Sequence, residues 1–212
     1  MTFYQFVFGI LRFLFRIFNG KPHVIGKENI PNPDQSTFIL AATHRSFWDP
    51  LYLAIELYPV PISFMSKESL FRNSLFAKIL RKVYVFPVNR EKPSPKAIKF
   101  AVKQLTQENL NLGIFPSGSR YSTEIKGGTA FIQRLSKKDI IPIAIQPPLD
   151  LKSFFKRQKA KIAFGPAIKY DSNLDYNKEQ LGKIDQKIAN AFDALDQQLD
   201  QNYSYVPAKK KN

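Results

Sequence analysis

The sequence predicts an α/β domain: a largely parallel central sheet flanked by helices, with an amphipathic helix joined at its N-terminus. Three observations carry that expectation. Short apolar runs alternate with longer helix-patterned stretches from residue 36 to residue 200. The runs are continuously apolar, as strands covered on both faces must be. The first 19 residues are mostly Phe, Ile, Leu, Val and Tyr, with Thr2, Gln5, Gly9, Arg12, Arg16 and Asn19 forming one narrow polar stripe at helical spacing.

That stripe makes Thr2 to Asn19 a helix. It is slightly shorter than the roughly 20 apolar residues of a membrane span, and two arginines lie in its second half. It has neither a basic start nor a small-residue cleavage site, so it does not read as a removable signal. A monotopic helix lying in the membrane interface, arginines toward headgroups, accounts for the pattern. A helix buried in the core and a spanning helix are the alternatives.

Gly20 to Pro33 reads as a connector rich in Gly, Pro and Asn. Ser36–Ala42 is a strand and Pro50–Leu57 a helix. Pro61–Met65 is a strand, Asn73–Lys82 a basic amphipathic helix, and Val83–Val88 a further strand. Pro95–Asn109 is a helix and Asn111–Phe115 a strand, followed by a loop from Gly118 to Gly128. Thr129–Lys137 is a helix, Ile140–Gln146 and Lys161–Phe164 are strands, and Asn177–Asp200 is a long polar helix. The tail, with Lys209, Lys210 and Lys211, is expected to fray. There is no internal repeat, and 212 residues make most simply one domain.

Composition narrows the function. Hydrophobic residues are 44% of the chain, with 19 Phe and 9 Tyr, which excludes a disordered protein. With no Cys and two His, a disulfide framework and a thiolate metal site are excluded, and no metal site is expected. The net charge is +15, and residues 171–212 carry six Lys against seven Asp and Glu, so the excess lies in residues 1–170. Such a field favours an anionic partner: nucleic acid, an anionic membrane, or a phosphorylated or acidic carrier. A Phe-rich amphipathic start has no use in nucleic-acid binding, so no nucleic-acid partner is expected.

Chemistry concentrates at two places. Ala42-Thr43-His44-Arg45-Ser46-Phe47-Trp48-Asp49-Pro50 sets an imidazole and a carboxylate five positions apart, directly after a strand. Phe115-Pro116-Ser117-Gly118-Ser119-Arg120 sets a tight turn and a cation after another. Ligands of open α/β sheets gather at the carboxyl ends of parallel strands, so both segments and Arg90 belong at one sheet edge. His44 has the chemistry of a general base, and Asp49 could fix its tautomer by accepting from the other ring nitrogen. Asp49 before Pro50 also reads as a helix cap, or as the partner of a Ser46 cap. Gly118 permits close backbone approach, Ser119 can donate to a phosphate oxygen, and Arg120 can bind one bidentately. Arg90 and Lys126 are further phosphate candidates, Lys126 at the mouth of the next helix. Ile141-Pro142-Ile143-Ala144 is either an acyl-chain lining or core strand.

These segments resemble the signature blocks of the glycerolipid acyltransferase family that acylates lysophosphatidic acid. His44 to Asp49 is similar to its His-x4-Asp block. Ser66-Lys67-Glu68-Ser69-Leu70-Phe71, ending at Val88-Asn89-Arg90, is similar to the second block, Phe115 to Arg120 to the third, and Ile141 to Ala144 to the fourth. The resemblance runs from about Ser36 to Ala167. It implies the family's single-domain α/β sandwich, and transfer of a fatty acyl group from acyl-CoA or acyl carrier protein to the 2-hydroxyl of 1-acylglycerol 3-phosphate, without a cofactor. It implies catalytic roles for His44 and Asp49 and acceptor-phosphate binding by Arg90, beside which Gly118, Ser119, Arg120 and Lys126 are expected from their own chemistry to bind the acceptor. Ser117 and Ser119 stand where the family usually has Glu and Thr. Glycerol 3-phosphate, a lyso-ornithine lipid or another lysophospholipid are alternative acceptors, and a nucleic-acid-binding module or passive lipid carrier are rivals from other classes. Residues 1–20 are thus expected as a membrane-anchoring helix on the cytoplasmic face, 21–205 as the acyltransferase domain, and 206–212 as a basic flexible tail.

Overall fold

The computed structural model describes residues 1–89 and 94–207. Its helices are α1 (Phe3–Phe18), α2 (Asp49–Glu56), α3 (Ser74–Lys82), α4 (Pro95–Thr106), α5 (Gly128–Ser136), α6 (Leu151–Phe155) and α7 (Lys178–Leu199). Its strands are β1 (His23–Ile25), β2 (Ile39–Ala42), β3 (Ile62–Lys67), β4 (Val85–Val88), β5 (Asn111–Ile114), β6 (Ile140–Gln146) and β7 (Lys161–Phe164). They form one sheet in the order β1-β7-β6-β2-β5-β3-β4. From β6 to β4 every pairing is parallel, whereas β7 runs antiparallel to β6, with β1 parallel to β7 at the edge.

The continuous apolar runs are the central strands, and β2, β5 and β6 are buried along their whole length. Because successive side chains point to opposite faces, each strand feeds two cores. Leu40, Ala42, Ile141, Ile143 and Ile145 meet Tyr4, Phe8, Phe15, Tyr52, Leu53 and Phe154 on the side of α1, α2 and α6. Ile39, Ala41, Leu112, Ile114 and Ile140 meet Ala101, Leu105, Ile132, Ile184, Ile188 and Phe192 on the side of α4, α5 and α7. Ile141, Pro142, Ile143 and Ala144 are thus interior β6, and the acyl-lining alternative gives way to core strand.

The N-terminal helix buries one face on the domain and leaves the other exposed. Thr2 and Gln5 close a reciprocal capping box at its start. Tyr4, Phe8 and Phe15 are buried against the domain, Phe15 edge-on to Trp48, Tyr52 and Phe154. Phe6, Ile10, Phe13 and Ile17 face outward. Arg12 lies over the Tyr58 ring at 5.4 Å. No helix among the described residues is long and apolar enough to cross a membrane.

Asn19 leaves the polar stripe. It is fully buried; its Nδ2 donates to the carbonyls of Phe154 (2.9 Å) and Gln158 (3.0 Å), and its Oδ1 accepts from Tyr52 (2.6 Å). Three bonds from one amide tie the end of α1 to α2 and α6.

Two elements went unread in the sequence, β1 within the supposed connector and α6. Each is short and set by tertiary partners: β1 pairs only with β7, and α6 is started by Asp150 accepting from the Ser153 N–H and anchored by buried Phe154. The helix expected to reach Asn109 stops at Thr106, because Asn109 turns to φ 52° and the Leu110 N–H returns to the Gln104 carbonyl. Lys209 to Lys211 lie outside the described residues.

Asn19→Ala should cost about 2–3 kcal/mol in urea unfolding, since it strands two carbonyls and a buried hydroxyl. A cost below about 0.5 kcal/mol would show that this amide does not hold α1 in place.

Candidate active site

Four parallel strands deliver their C-terminal ends to one edge of the sheet. From β2 the chain passes into Thr43 and His44, from β3 into Glu68, from β4 into Asn89, and from β5 into Phe115. Both chemistry-bearing segments therefore sit beyond the same edge, as the strand–motif order anticipated.

At the first segment the chain turns into α2, and Asp49 is the first residue of that helix. Its side chain is fully buried and folds back over the turn. Oδ2 accepts from the Arg45 N–H (2.6 Å), the Ser46 N–H (2.7 Å) and His44 Nδ1 (3.0 Å). Oδ1 is buried with no partner among the described residues. Asp49 is not the cap, since that position is Trp48, with no side-chain bond; of the Ser46 alternative only the return half is present, Asp49 accepting from the Ser46 N–H while the Ser46 hydroxyl accepts from the Trp48 N–H at 3.3 Å. The carboxylate serves the loop before the helix rather than the helix's own free N–H groups.

Two backbone donors already sit on Oδ2, so the third contact requires the imidazole to donate from Nδ1. In the neutral ring that puts the proton on Nδ1 and leaves Nε2 as the bare nitrogen. The ring stacks on Phe115, centroids 4.3 Å apart, and its side chain is only 8% exposed. His44 lines a cavity of about 220 Å³ with Arg45, Ser117, Ser122, Thr123, Phe192 and Tyr205.

Within the second segment, Gly118 takes φ +69°, a conformation that favours glycine. A Cβ there would stand 3.5 Å from Lys126 Nζ. Gly118, Ser119, Arg120 and Lys126 line one open groove of about 760 Å³ together with Lys67, Ser69 and Arg72. Lys67, Arg72, Arg120 and Lys126 set four cations round this groove against one carboxylate, Glu68, a lining whose net charge favours an anion. Ser117 is nearly buried and donates to the Ser119 carbonyl at 2.9 Å, pinning the turn. The Ser119 hydroxyl accepts from the Tyr121 N–H (3.3 Å), which leaves its proton free to donate. Arg90 lies outside the described residues.

His44 and the cations thus occupy neighbouring cavities rather than one cleft. They abut at the Ser117–Gly118 step, because the chain from 117 to 126 returns on itself, the Lys126 N–H bonding the Pro116 carbonyl at 3.0 Å. A smaller apolar cavity, lined by Met65, Ile98, Ile114, Phe115 and Ile132, opens from the groove beside Gly118 and Lys126.

Several residues at this edge escaped sequence reasoning. Arg45 pairs bidentately with Asp196 of α7, Nη1 meeting Oδ1 at 2.7 Å and Nη2 meeting Oδ2, and Nη1 also donates to the Ile145 carbonyl at 2.8 Å. Burial is the largest single influence on Arg45 and would lower its pKa; the Asp196 hydrogen bond and the charges of Asp196, Tyr203 and Asp49 together outweigh it and raise the value. Tyr203 and Tyr205 stack over the same guanidinium, and the Tyr205 hydroxyl donates to the Arg120 carbonyl at 2.7 Å. Burial raises both phenol pKa values. Nothing in local spacing links Arg45 to Asp196, 151 residues away. Lys67 and Arg72 had a readable signal, a basic residue at the end of β3 and another soon after.

Asp196→Ala should lower stability by about 3 kcal/mol, because it leaves a buried guanidinium unpaired. A loss within about 0.5 kcal/mol in urea unfolding would mean that the pair is not what holds α7 to this edge.

Residues 21–146 match the family model described as Acyltransferase. The chain is 35% identical over 199 residues to the 1-acyl-sn-glycerol-3-phosphate acyltransferase of Streptococcus pneumoniae, covering 94% of this chain and 75% of the relative. It is 33% identical over 201 residues to the protein of that name from Bacillus subtilis, covering 93% and 99%. The fold is similar to the crystal structure of the 1-acyl-sn-glycerophosphate acyltransferase PlsC from Thermotoga maritima, with a TM-score of 0.70 at 18% identity over 95% of this chain and 83% of that one. By the family match and these two relatives, the chain belongs to the acyltransferase family that includes the 1-acyl-sn-glycerol-3-phosphate acyltransferases.

Proposed function

We propose that this acyltransferase moves a fatty acyl group from acyl-CoA or acyl carrier protein to the 2-hydroxyl of 1-acylglycerol 3-phosphate, giving phosphatidic acid, with His44 as general base. The observation that carries the reading is the buried Asp49 oxygen that takes the Nδ1 proton of His44. With that nitrogen occupied, Nε2 is the one able to accept a proton on the cavity side. It takes the proton of the 2-hydroxyl as that oxygen attacks the thioester carbonyl carbon. The tetrahedral intermediate collapses, the carbon–sulfur bond breaks, and the imidazolium returns the proton to the leaving sulfur. The substrate alcohol stands where a serine protease uses its own serine, so no covalent enzyme intermediate is required.

The acceptor phosphate goes to the groove of Arg120, Lys126, Gly118 and Ser119, joined by Lys67 and Arg72. Arg90 remains in this set from the sequence. In the acceptor the 2-hydroxyl and the phosphate are carried on adjacent glycerol carbons. The abutting cavities at Ser117–Gly118 suit so short a span. Stacking on Phe115 fixes the imidazole plane. The outward apolar face of α1 supports a seat on the membrane, in this reading on its cytoplasmic face, where the lipid acceptor resides.

Purified His44→Ala should lose about 10² to 10⁴ in turnover, while His23→Ala on the exposed edge strand keeps it. Near-normal transfer by the His44 variant would refute the assignment. Arg120→Ala should raise the KM for 1-acylglycerol 3-phosphate roughly 10- to 100-fold, the worth of a charged hydrogen bond, and leave the donor KM unchanged. An effect confined to the donor would assign this cation to the acyl carrier instead.

A further inference from the structure

α3 is amphipathic in the wrong sense for a helix that only covers the sheet. Its one fully buried residue is Ala77. Leu75, Phe76 and Ile79 share one face and are 69%, 46% and 40% exposed. Leu70, in the 3-10 turn Glu68–Phe71 just before α3, is also exposed. A soluble helix packs such residues inward; this one packs a methyl inward and turns its apolar stripe out. Contiguous exposed apolar surface of this kind marks a site of contact.

We infer that α3 and the turn before it form a second bilayer-contacting surface, one that seats on anionic lipid and feeds the acceptor into the cation groove. This rests on the reading of that groove as the lipid-phosphate site. Three observations identify the occupant as a lipid surface. Arg72, Lys78, Arg81 and Lys82 flank the apolar stripe, and from Ser69 to Lys82 there is no acidic residue; Lys and Arg beside exposed Leu and Phe are the composition of an interfacial helix. The turn is itself a wall of the groove, since Lys67, Glu68, Ser69 and Arg72 line it opposite Arg120 and Lys126. A lysolipid whose phosphate lies there can keep its hydrocarbon on the side of the turn and α3. The surface also adjoins the other exposed apolar face, because the Lys82 ammonium lies 5.3 Å over the Phe3 ring of α1. The two apolar patches are therefore neighbours, and the second is the one beside the groove.

The test compares the full chain with a Leu75→Ser/Phe76→Ser/Ile79→Ser variant. These side chains are exposed and lie outside the groove, so the fold and the chemistry are expected to persist. Binding is measured by flotation with vesicles of equal parts phosphatidylcholine and phosphatidylglycerol. Acyl transfer is measured to 1-acylglycerol 3-phosphate held in those vesicles and, separately, in detergent micelles. The variant is expected to bind vesicles about tenfold more weakly or worse and to lose vesicle transfer in proportion, with micellar transfer unchanged. Vesicle binding and transfer equal to wild type would overturn the inference. So would a wild-type dimer that the substitutions convert to monomer, which would make the stripe a contact between copies. Absence of micellar transfer in the wild type would sink the proposed reaction instead, and flotation would still report on the surface.

Discussion

One carboxylate oxygen organises the reactive edge of this protein. Oδ2 of Asp49 gathers the N–H groups of Arg45 and Ser46 and the Nδ1 proton of His44, all within 3.0 Å, in a place with no solvent exposure. The two backbone bonds shape the loop; the third orients the ring. Each depends on the others, because an acceptor already holding two amide protons can receive only a donor from the imidazole. A buried carboxylate oxygen is costly unless its neighbours satisfy it, and for Oδ2 they do so by presenting the histidine in one orientation. The remaining features of the edge serve that orientation. Phe115 from the neighbouring strand lies against the ring, and α2 carries Asp49 into place from below.

The sheet supplies the second constraint. Parallel strands put their C-terminal ends on one side, so residues far apart in sequence arrive together without any local signal between them. β2 brings the histidine, β5 the glycine turn and Arg120, and β3 brings Lys67. The C-terminal segment then closes the edge from outside. Asp196, Tyr203 and Tyr205 all converge on Arg45, and Tyr205 reaches across to the Arg120 carbonyl. Residue 45, one position past the histidine, thereby links α7 and the chain beyond it to both functional segments.

How much of this was legible in the sequence follows from where each feature gets its energy. β2, β5 and β6 draw theirs from burial on both faces, and a run such as Ile39-Leu40-Ala41-Ala42 announces that directly. The His-x4-Asp spacing was visible because the pairing is local. Asp49 did not prove to be the cap, because sequence shows which residue precedes Pro50 but not which way a carboxylate turns; only its bond to the Ser46 N–H was anticipated. β1 and α6 were hidden because their patterns are too short to stand alone, and each exists through a partner more than a hundred residues away. Arg45, Asp196 and Tyr205 were hidden for the same reason, each looking like an ordinary surface residue until the chain is folded. The amphipathic start was readable as a helix, but its division between a face docked on the core and a face turned outward depends on α2 and α6.

Only two histidines are present, His23 and His44, so the imidazole nitrogens can be observed residue by residue. A ¹⁵N–¹H correlation spectrum of the side chains, recorded where the rings are neutral, tests the tautomer most directly. The account requires His44 to carry its proton on Nδ1, with an unprotonated Nε2. A His44 ring protonated on Nε2 and bare at Nδ1 would contradict it, because that ring could neither donate to Asp49 nor accept the proton of a lipid hydroxyl.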